Sequence, residues 1–195
     1  LAIGSDRGEV LGVPFITFLA PGLIAMQVIQ QAFSHSSSSF MIGKIQGNIV
    51  DLLYAPLSST EVTISISLAA VTRSIMIAAI SILTFYLIID IQIKHFFLLV
   101  LFTFLSSFIL GNIGIIAGLW AEKFDHMATV TNFVIVPLSF LSGTFYSIDR
   151  LPSFLKTISE LNPFFYMIDG FRYSFIGKAD GSIFIGLIYL SVLSF

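Results

Sequence analysis

Long apolar runs alternate with short polar segments along the chain. The apolar runs predict membrane-spanning helices at about residues 13–33, 62–89, 96–120 and 127–146, and a fifth that begins at about Ser182. A helix needs roughly 20 apolar residues to cross the hydrocarbon core of a bilayer, and each of the first four runs reaches that length. The pattern therefore predicts an all-α polytopic membrane helix bundle with about five spans.

A short helix is predicted between the first two spans, over residues 43–55. Its apolar positions recur at helical spacing, at Ile42, Ile45, Ile49 and Leu52. The segment is too short and too polar to cross a bilayer, so we expect it to lie along the membrane surface. Pro56 ends it, and residues 58–61 have the pattern of a capping box that begins the second span.

Two more short helices are predicted after the fourth span, over residues 151–161 and 163–177. Asn162 and Pro163 separate them and form a favourable helix start, because Asn caps free N–H groups and Pro is tolerated at the first helical position. Ten residues of helix reach only about 15 Å, half of the hydrocarbon core. We expect a re-entrant pair that enters the membrane and returns, with its apolar faces packed on the fourth and fifth spans.

The second of these helices carries Asp169 and Arg172 one turn apart, a spacing that allows them to pair. Two alternatives stay open for Arg172. It solvates the end of the helix, or it contributes to a gate where a substrate leaves the protein.

The first span carries polar residues on one face, because Gln27, Gln31, Ser34 and His35 follow one another at intervals of one helical turn or less. One interpretation is hydrogen bonding between helices, the usual use of Gln in a membrane bundle. The other is a polar wall of a substrate path. In the second span, Arg73 either extends to the membrane surface or contacts a substrate anion.

The composition agrees with a membrane protein. Of the 195 residues 56% are hydrophobic and 10% charged, and the mean hydropathy is +0.99. Soluble domains average about 25% charged residues. The net charge of −2 provides no basic surface for nucleic acid, and the chain has no cysteine. Because it lacks an initial Met and ends within the apolar run 183–195, we interpret residues 1–195 as one transmembrane domain truncated at both ends.

No group of residues predicts catalysis or metal binding. His35, His95 and His126 lie far apart and lack the spacing of metal ligands. No acidic residue lies in the middle of a span, which argues against an ion-coupled carrier or channel, and no acid–base pair supports a lipid enzyme. We therefore expect no catalytic residue, no metal and no bound cofactor, and an energy source supplied by a partner.

Four motifs carry a resemblance to a known family. They are GKIQGNIVDLLYAPLS (43–58), WAEKFDH (120–126), LSGTFYSIDRLP (141–152) and PFFYMIDGFR (163–172). In this order they resemble the permeases of type-2 ABC exporters. The resemblance implies a six-span fold in which two permease and two ATPase subunits assemble. The spans found here correspond to the family's second to sixth.

The resemblance also implies roles for particular residues. The residues implied to contact the ATPase are Lys44, Ile45, Gly47, Asn48, Ile49, Asp51 and Leu52. The residues implied in a re-entrant gate at the outer face are Asn162, Pro163, Tyr166, Asp169 and Arg172. Gln27 and Gln31 are the candidates for the transport path.

The same resemblance implies partners and a location. The partners are an ABC ATPase subunit that uses the ATP, a second permease copy in a homodimer, and membrane lipid. The location is the inner membrane, and the passenger is an amphiphile, drug-like or lipid-linked, that is moved outward.

Charge alone predicts the opposite orientation. Lys and Arg residues concentrate on the side of residues 147–181, at Arg7, Lys94, Arg150, Lys156, Arg172 and Lys178. The other side holds only Lys44 and Lys123. Positively charged loops are usually cytoplasmic. We nevertheless follow the family and expect residues 147–181 at the outer face.

Overall fold

The computed structural model describes residues 9–89, 91–148 and 151–194, without the side chains of Leu52 and Leu53. A short antiparallel hairpin precedes the helices and consists of β1 (Glu9–Val10) and β2 (Val13–Pro14). The helices are α1 (Phe15–Gln46), α2 (Ile49–Tyr54), α3 (Ser59–Ile88), α4 (Phe96–Trp120), α5 (Phe124–Val130), a π-helical turn (Thr131–Ile135), α6 (Val136–Leu141), α7 (Ser153–Leu161), α8 (Pro163–Ile176) and α9 (Ile183–Leu193). The predicted all-α bundle is confirmed.

Four helical segments in the described part of the chain are long and apolar enough to cross a membrane. They are α1, α3, α4 and the continuous stretch Phe124–Leu141, whereas α9 has 11 residues. The core forms where α1, α3 and α4 pack against one another, and α8 packs against both α1 and α4. Large aromatic side chains fill this core, among them Phe18, Phe33, Phe102 and Phe171.

Glycines on α4 let α1 approach closely. A Cβ atom at Gly114 would lie 2.5 Å from the carbonyl oxygen of Phe33, and one at Gly118 would lie 2.8 Å from that of Ser37. Small residues at such interfaces allow backbones to touch, which is a main source of helix association inside a membrane. The close α1–α4 contact therefore requires glycine, which has no Cβ atom, at these two positions.

The first span extends much further than predicted, because α1 continues through the serine run 35–39 to Gln46. Ser36 and Ser37 are buried, and the Ser36 side chain packs against the glycine face of α4. The Ser37 hydroxyl donates to the carbonyl oxygen three residues before it, at 3.2 Å. Serine is small enough for this close contact, and Ser37 and Ser39 bond to carbonyls within the helix, so the run extends the span.

The predicted surface helix over residues 43–55 is shorter and begins later. Residues 43–46 form the last turn of α1, and Gly47 then ends that helix with φ +76° while its N–H donates to the carbonyl of Lys44. Only α2 remains, with six residues. Leu52 lies in α2, but its side chain is outside the described part of the structure.

The next two helices begin and end close to the predicted positions. The capping box at the start of α3 is confirmed, since the Ser58 hydroxyl accepts from the Glu61 N–H and the Glu61 carboxylate accepts from the Ser58 N–H at 2.7 Å. The helix α4 covers the predicted range 96–120.

The fourth span begins and ends earlier than the predicted range 127–146. It begins at Phe124 and ends at Leu141. Gly143 then reverses the chain with φ +76°, a conformation that L side chains rarely adopt.

The two short helices lie where the sequence predicts them, but only one buries its apolar face. α8 buries Phe164, Ile168, Phe171 and Phe175, mainly against α1 and α4 and also against α6 and α9. α7 leaves its apolar residues exposed, so the predicted packing of that face is wrong. Its buried residue is Ser159, whose hydroxyl donates to the Leu141 carbonyl, and this bond turns the polar side of α7 inward.

We predict that Gly114→Val destabilises the protein by about 1–3 kcal/mol, because the new side chain overlaps the α1 backbone. The measurement is thermal unfolding of the full-length permease in a mild detergent. Gly43→Ala is the matched control on α1. The nearest atom to its new Cβ is 3.9 Å away, so its midpoint should stay the same or rise. Equal unfolding midpoints for Gly114→Val and the unchanged protein would contradict the packing argument.

Candidate functional site

Arg172 on α8 is the largest fully buried side chain among the described residues, although it carries a charge. Its Nη2 donates to the carbonyl oxygens of Gly143 at 2.7 Å and Thr144 at 3.3 Å. The guanidinium also lies 3.8 Å from the ring centre of Phe18 on α1, a cation–π contact. One side chain thus joins α8, α1 and the turn that follows α6. Arg172 does not solvate a helix end, so that interpretation is wrong.

Gly22 provides the space for this contact on α1. A Cβ atom there would lie 2.8 Å from Arg172 Nη2 and 2.9 Å from the Thr144 carbonyl oxygen. Pro21 precedes it inside the helix. Any larger residue at this position would push the guanidinium away from its carbonyl partners.

Asp169 does not pair with Arg172, so the predicted local pair is also wrong. Its carboxylate accepts from the N–H groups of Asp180 at 3.0 Å and Gly181 at 2.9 Å. Asp180 in turn accepts from the hydroxyl of Ser147 and the N–H of Ile148. These bonds connect α8 to the loop before α9 and that loop to the segment after α6.

Asn162 and Pro163 make the turn between α7 and α8 as predicted. The Asn162 side chain caps α8 by accepting from the Phe164 N–H at 3.1 Å, and Pro163 is the first residue of α8. The Asn162 amide also donates to the Leu138 carbonyl at 3.1 Å, which fixes the turn to α6. Tyr166 is half-buried and packs on Tyr189 of α9, with ring centres 5.2 Å apart.

An apolar groove of about 330 Å³ lies between α7 and the end of α6. Leu138 and Leu141 line one side, and Leu155 and Ile158 line the other. The groove reaches the turn at Asn162, and Phe154 of α7 is exposed outside it.

At the opposite end of the bundle, Lys44 clamps two helices together. Its ammonium group donates to the carbonyl oxygens of Gly118 and Ala121, each at 2.9 Å, and to that of Leu119. These carbonyls end α4 and have no partner within the helix, so a lysine is a favourable cap. Lys44, which the resemblance implies in ATPase contact, is occupied within the chain.

The other residues implied in ATPase contact surround this clamp and stay accessible. Ile45, Gly47, Asn48 and Asp51 are exposed and Ile49 is half-buried. The apolar side chains Val50 and Tyr54 of α2 are exposed as well. This end of the bundle therefore presents apolar residues on a short helix between two long ones.

The polar face of α1 is open in this chain. Gln27 and Ser34 are exposed, and Gln31 is half-buried. No hydrogen bond joins either glutamine to another helix among the described residues, so bonding within the chain does not explain them. On α3, Arg73 is exposed and its Nη1 lies 3.2 Å from Nδ1 of His35.

Sequence reasoning found the residues on α8 but missed their partners. Gly22, Gly143, Thr144 and Asp180 become significant only once the chain folds, because each is far in sequence from the side chain that it contacts. A sequence signal existed for Arg172. Most of the residues in 163–176 are apolar, which leaves little polar surface on the helix for the cation.

Several known proteins are similar to this chain. The family model described as ABC-2 type transporter matches residues 5–176. The inner membrane transport permease YadH of Escherichia coli K12 is 35% identical over 178 residues, which cover 91% of this chain and 70% of YadH. Nodulation protein J of Rhizobium leguminosarum biovar viciae is 25% identical over 98% of this chain and 75% of its own length. No solved structure matches.

We predict that Arg172→Ala lowers the free energy of unfolding by about 2–4 kcal/mol, through loss of charge-assisted hydrogen bonds and a cation–π contact. The mutant should accumulate to a lower level in the membrane. Arg172→Lys should recover part of the loss, because it keeps the charge without the planar fork. Lys123→Ala, at an exposed position, is the control and should leave stability unchanged.

A different result would separate structure from gating. If Arg172→Ala kept normal stability and normal membrane level but lost transport, Arg172 would act in a gate and the anchoring argument would be wrong.

Proposed function

The chain belongs to the ABC-2 type transporter family, and on this premise we propose that it is the permease subunit of an exporter that moves an amphiphile outward. It is a multi-pass inner-membrane protein and a subunit of an ABC transporter. In our proposal a separate ABC ATPase subunit hydrolyses the ATP, and two copies of this chain form the passage. This chain would bind no cofactor of its own.

The observation that supports the proposal most is the continuity of α1. This 32-residue helix begins beside the hairpin and ends beside α2, a length of about 48 Å. Near its start, Phe18 and Gly22 contact Arg172 of α8, and near its end Lys44 holds the last carbonyls of α4. A displacement applied at α2 would therefore reach α8 through one element.

We place the ATPase at the α2 end. An exposed Tyr54 and Val50 on a six-residue helix are unfavourable in water, and a partner surface would cover them. Closure of the ATPase on nucleotide would then push α2 and the adjoining ends of α1 and α3. Lys44 would pass the movement on to α4.

We place α7 and α8 at the outer face as a re-entrant pair that helps to gate exit. Nine and 14 residues of helix are too short to cross the membrane. The exposed apolar side of α7 would contact lipid, and the groove beside Asn162 would accept part of the passenger. Asp169 and Asp180 would hold the loop before α9 in register during this movement.

The positive charge on the side of residues 147–181 favours the opposite orientation less strongly than the sequence suggests. Arg172 is buried, Lys94 donates to the Ile176 carbonyl at 2.6 Å, and Lys178 donates to the Leu11 carbonyl at 2.9 Å. Lys94 and Lys178 keep their charge in loops, but Arg172 lies inside α8. The positive-inside rule counts charges in loops near the ends of spans, so Arg172 does not belong in its count.

We predict that Val50→Asp combined with Tyr54→Asp prevents copurification of the ATPase with the full-length permease, while the permease keeps its unfolding temperature. Both side chains are exposed, so the substitutions affect a partner and not the core. Thr157→Asp, at an exposed position of α7 at the other end of the bundle, is the control and should leave copurification unchanged. Unchanged copurification and unchanged stimulation of ATP hydrolysis by the double mutant would contradict the placement of the ATPase.

Gln27 and Gln31 are our candidates for the wall of the passage. Since the chain has no cysteine, Gln27→Cys and Gln31→Cys each introduce a single reactive thiol. We predict that both react with a water-soluble maleimide in at least one nucleotide state of the complex, because an unpartnered amide is costly in hydrocarbon. Phe104→Cys, on the exposed apolar surface of α4, should stay unreactive. Absence of labelling at both glutamines in every state would contradict the proposed path.

A further inference from the structure

Arg73 lies at the depth of the middle of a span. The Ser67 hydroxyl bonds the Asn112 side chain, and a Cβ at Gly111 would lie 3.4 Å from that of Ala70, so these residues of α3 and α4 are level. Since the two helices run in opposite directions, Arg73 is level with about Phe108. That residue is 12 positions, about 18 Å, from each end of α4.

The Arg73 side chain is exposed and does not reach the membrane surface. Its guanidinium stops at His35, which lies 11 residues, about 16 Å, before the end of α1. Within the described part of the chain no carboxylate pairs with it. A cation in the hydrocarbon region is costly unless it meets a charge partner or a polar cavity.

The contact with His35 determines which atoms of the site are hydrogen-bond donors. A guanidinium has only donors, so Nδ1 of His35 must accept, and the imidazole is neutral with its proton on Nε2. The Nε2–H and the remaining N–H groups of Arg73 are then all donors. Gln31 and Ser34 add an amide and a hydroxyl on the same face of α1. The cluster offers many donors and one positive charge.

We propose that Arg73 and His35 form an anion site at hydrocarbon depth, and that it binds the phosphate head group of an amphiphilic passenger. A phosphate presents acceptor oxygens on several sides and matches the planar fork of arginine. The apolar chain of the passenger would remain at the depth where α3 exposes Met76 and Ile80. This inference rests on the proposed function, because the site must open on the passage between two permease copies.

The test uses the full-length permease copurified with its ATPase in phosphatidylcholine nanodiscs. The probe is fluorescent phosphatidic acid, and its binding is measured by energy transfer from the protein. We expect Arg73→Gln to weaken binding by about tenfold or more, the loss typical of one charge-assisted hydrogen bond. Lys123→Gln makes the same change in net charge at an exposed loop position and should bind as the unchanged protein does. Fluorescent phosphatidylcholine should bind equally to all variants.

Further variants keep the test decisive if Arg73→Gln folds poorly. Arg73→Lys should bind with intermediate affinity, and His35→Leu should weaken binding by a few-fold through loss of one hydrogen bond. Equal affinity of Arg73→Lys, His35→Leu and the unchanged protein for phosphatidic acid would overturn the proposal. Displacement of the probe by inorganic phosphate at similar concentration would overturn the assignment to an amphiphile.

Two other outcomes have distinct signatures. If Arg73 instead pairs with a carboxylate of a second copy, Arg73→Gln would dissociate the permease dimer and leave phosphatidic acid binding unchanged, and the anion site would be wrong. If the unchanged protein copurified with no ATPase, the proposed function would fail independently of the head-group preference.

Discussion

A buried cation that binds backbone carbonyls and an aromatic ring fixes the arrangement of the helices at one end of this bundle. Removing a guanidinium from water is costly, so Arg172 requires strong partners. The carbonyls of Gly143 and Thr144 and the ring of Phe18 provide them. This requirement explains why α6 ends in a turn at Gly143 and why α1 has glycine at position 22.

The same device recurs at other helix ends. A helix leaves its last carbonyl groups without partners, and inside a membrane these groups cannot be left to water. Lys44 binds those of α4, Lys94 binds one at the end of α8, and Arg172 binds those after α6. Lys44 lies on α1, and Arg172 contacts Phe18 of α1. This helix is therefore joined to its neighbours near both of its ends. A rigid link of this kind is what transmission from an ATPase to an exit gate would require.

The sequence predicted the elements better than their contacts. The limits of α3, α4, α7 and α8 follow from hydrophobic periodicity and from caps such as Ser58 and Asn162, which act between near neighbours. The end of α1 could not be predicted from the polarity of its serines, since Ser36 is buried only because α4 presents glycines to it. The pairing of Asp169 with Arg172 failed for a similar reason. Asp169 and Arg172 bond instead to Asp180 and Gly143, which are distant from them in sequence.

The central claim is that Arg172 fastens α8 to α1, and a double-mutant cycle between Arg172→Met and Phe18→Leu tests it most directly. The measurement is the free energy of unfolding of the full-length permease for the unchanged protein, each single mutant and the double mutant. The structure predicts a coupling energy of about 1–2 kcal/mol, because the guanidinium lies 3.8 Å from the centre of the ring in a desolvated site. Additive effects of the two substitutions would show that the two helices are not joined by this contact.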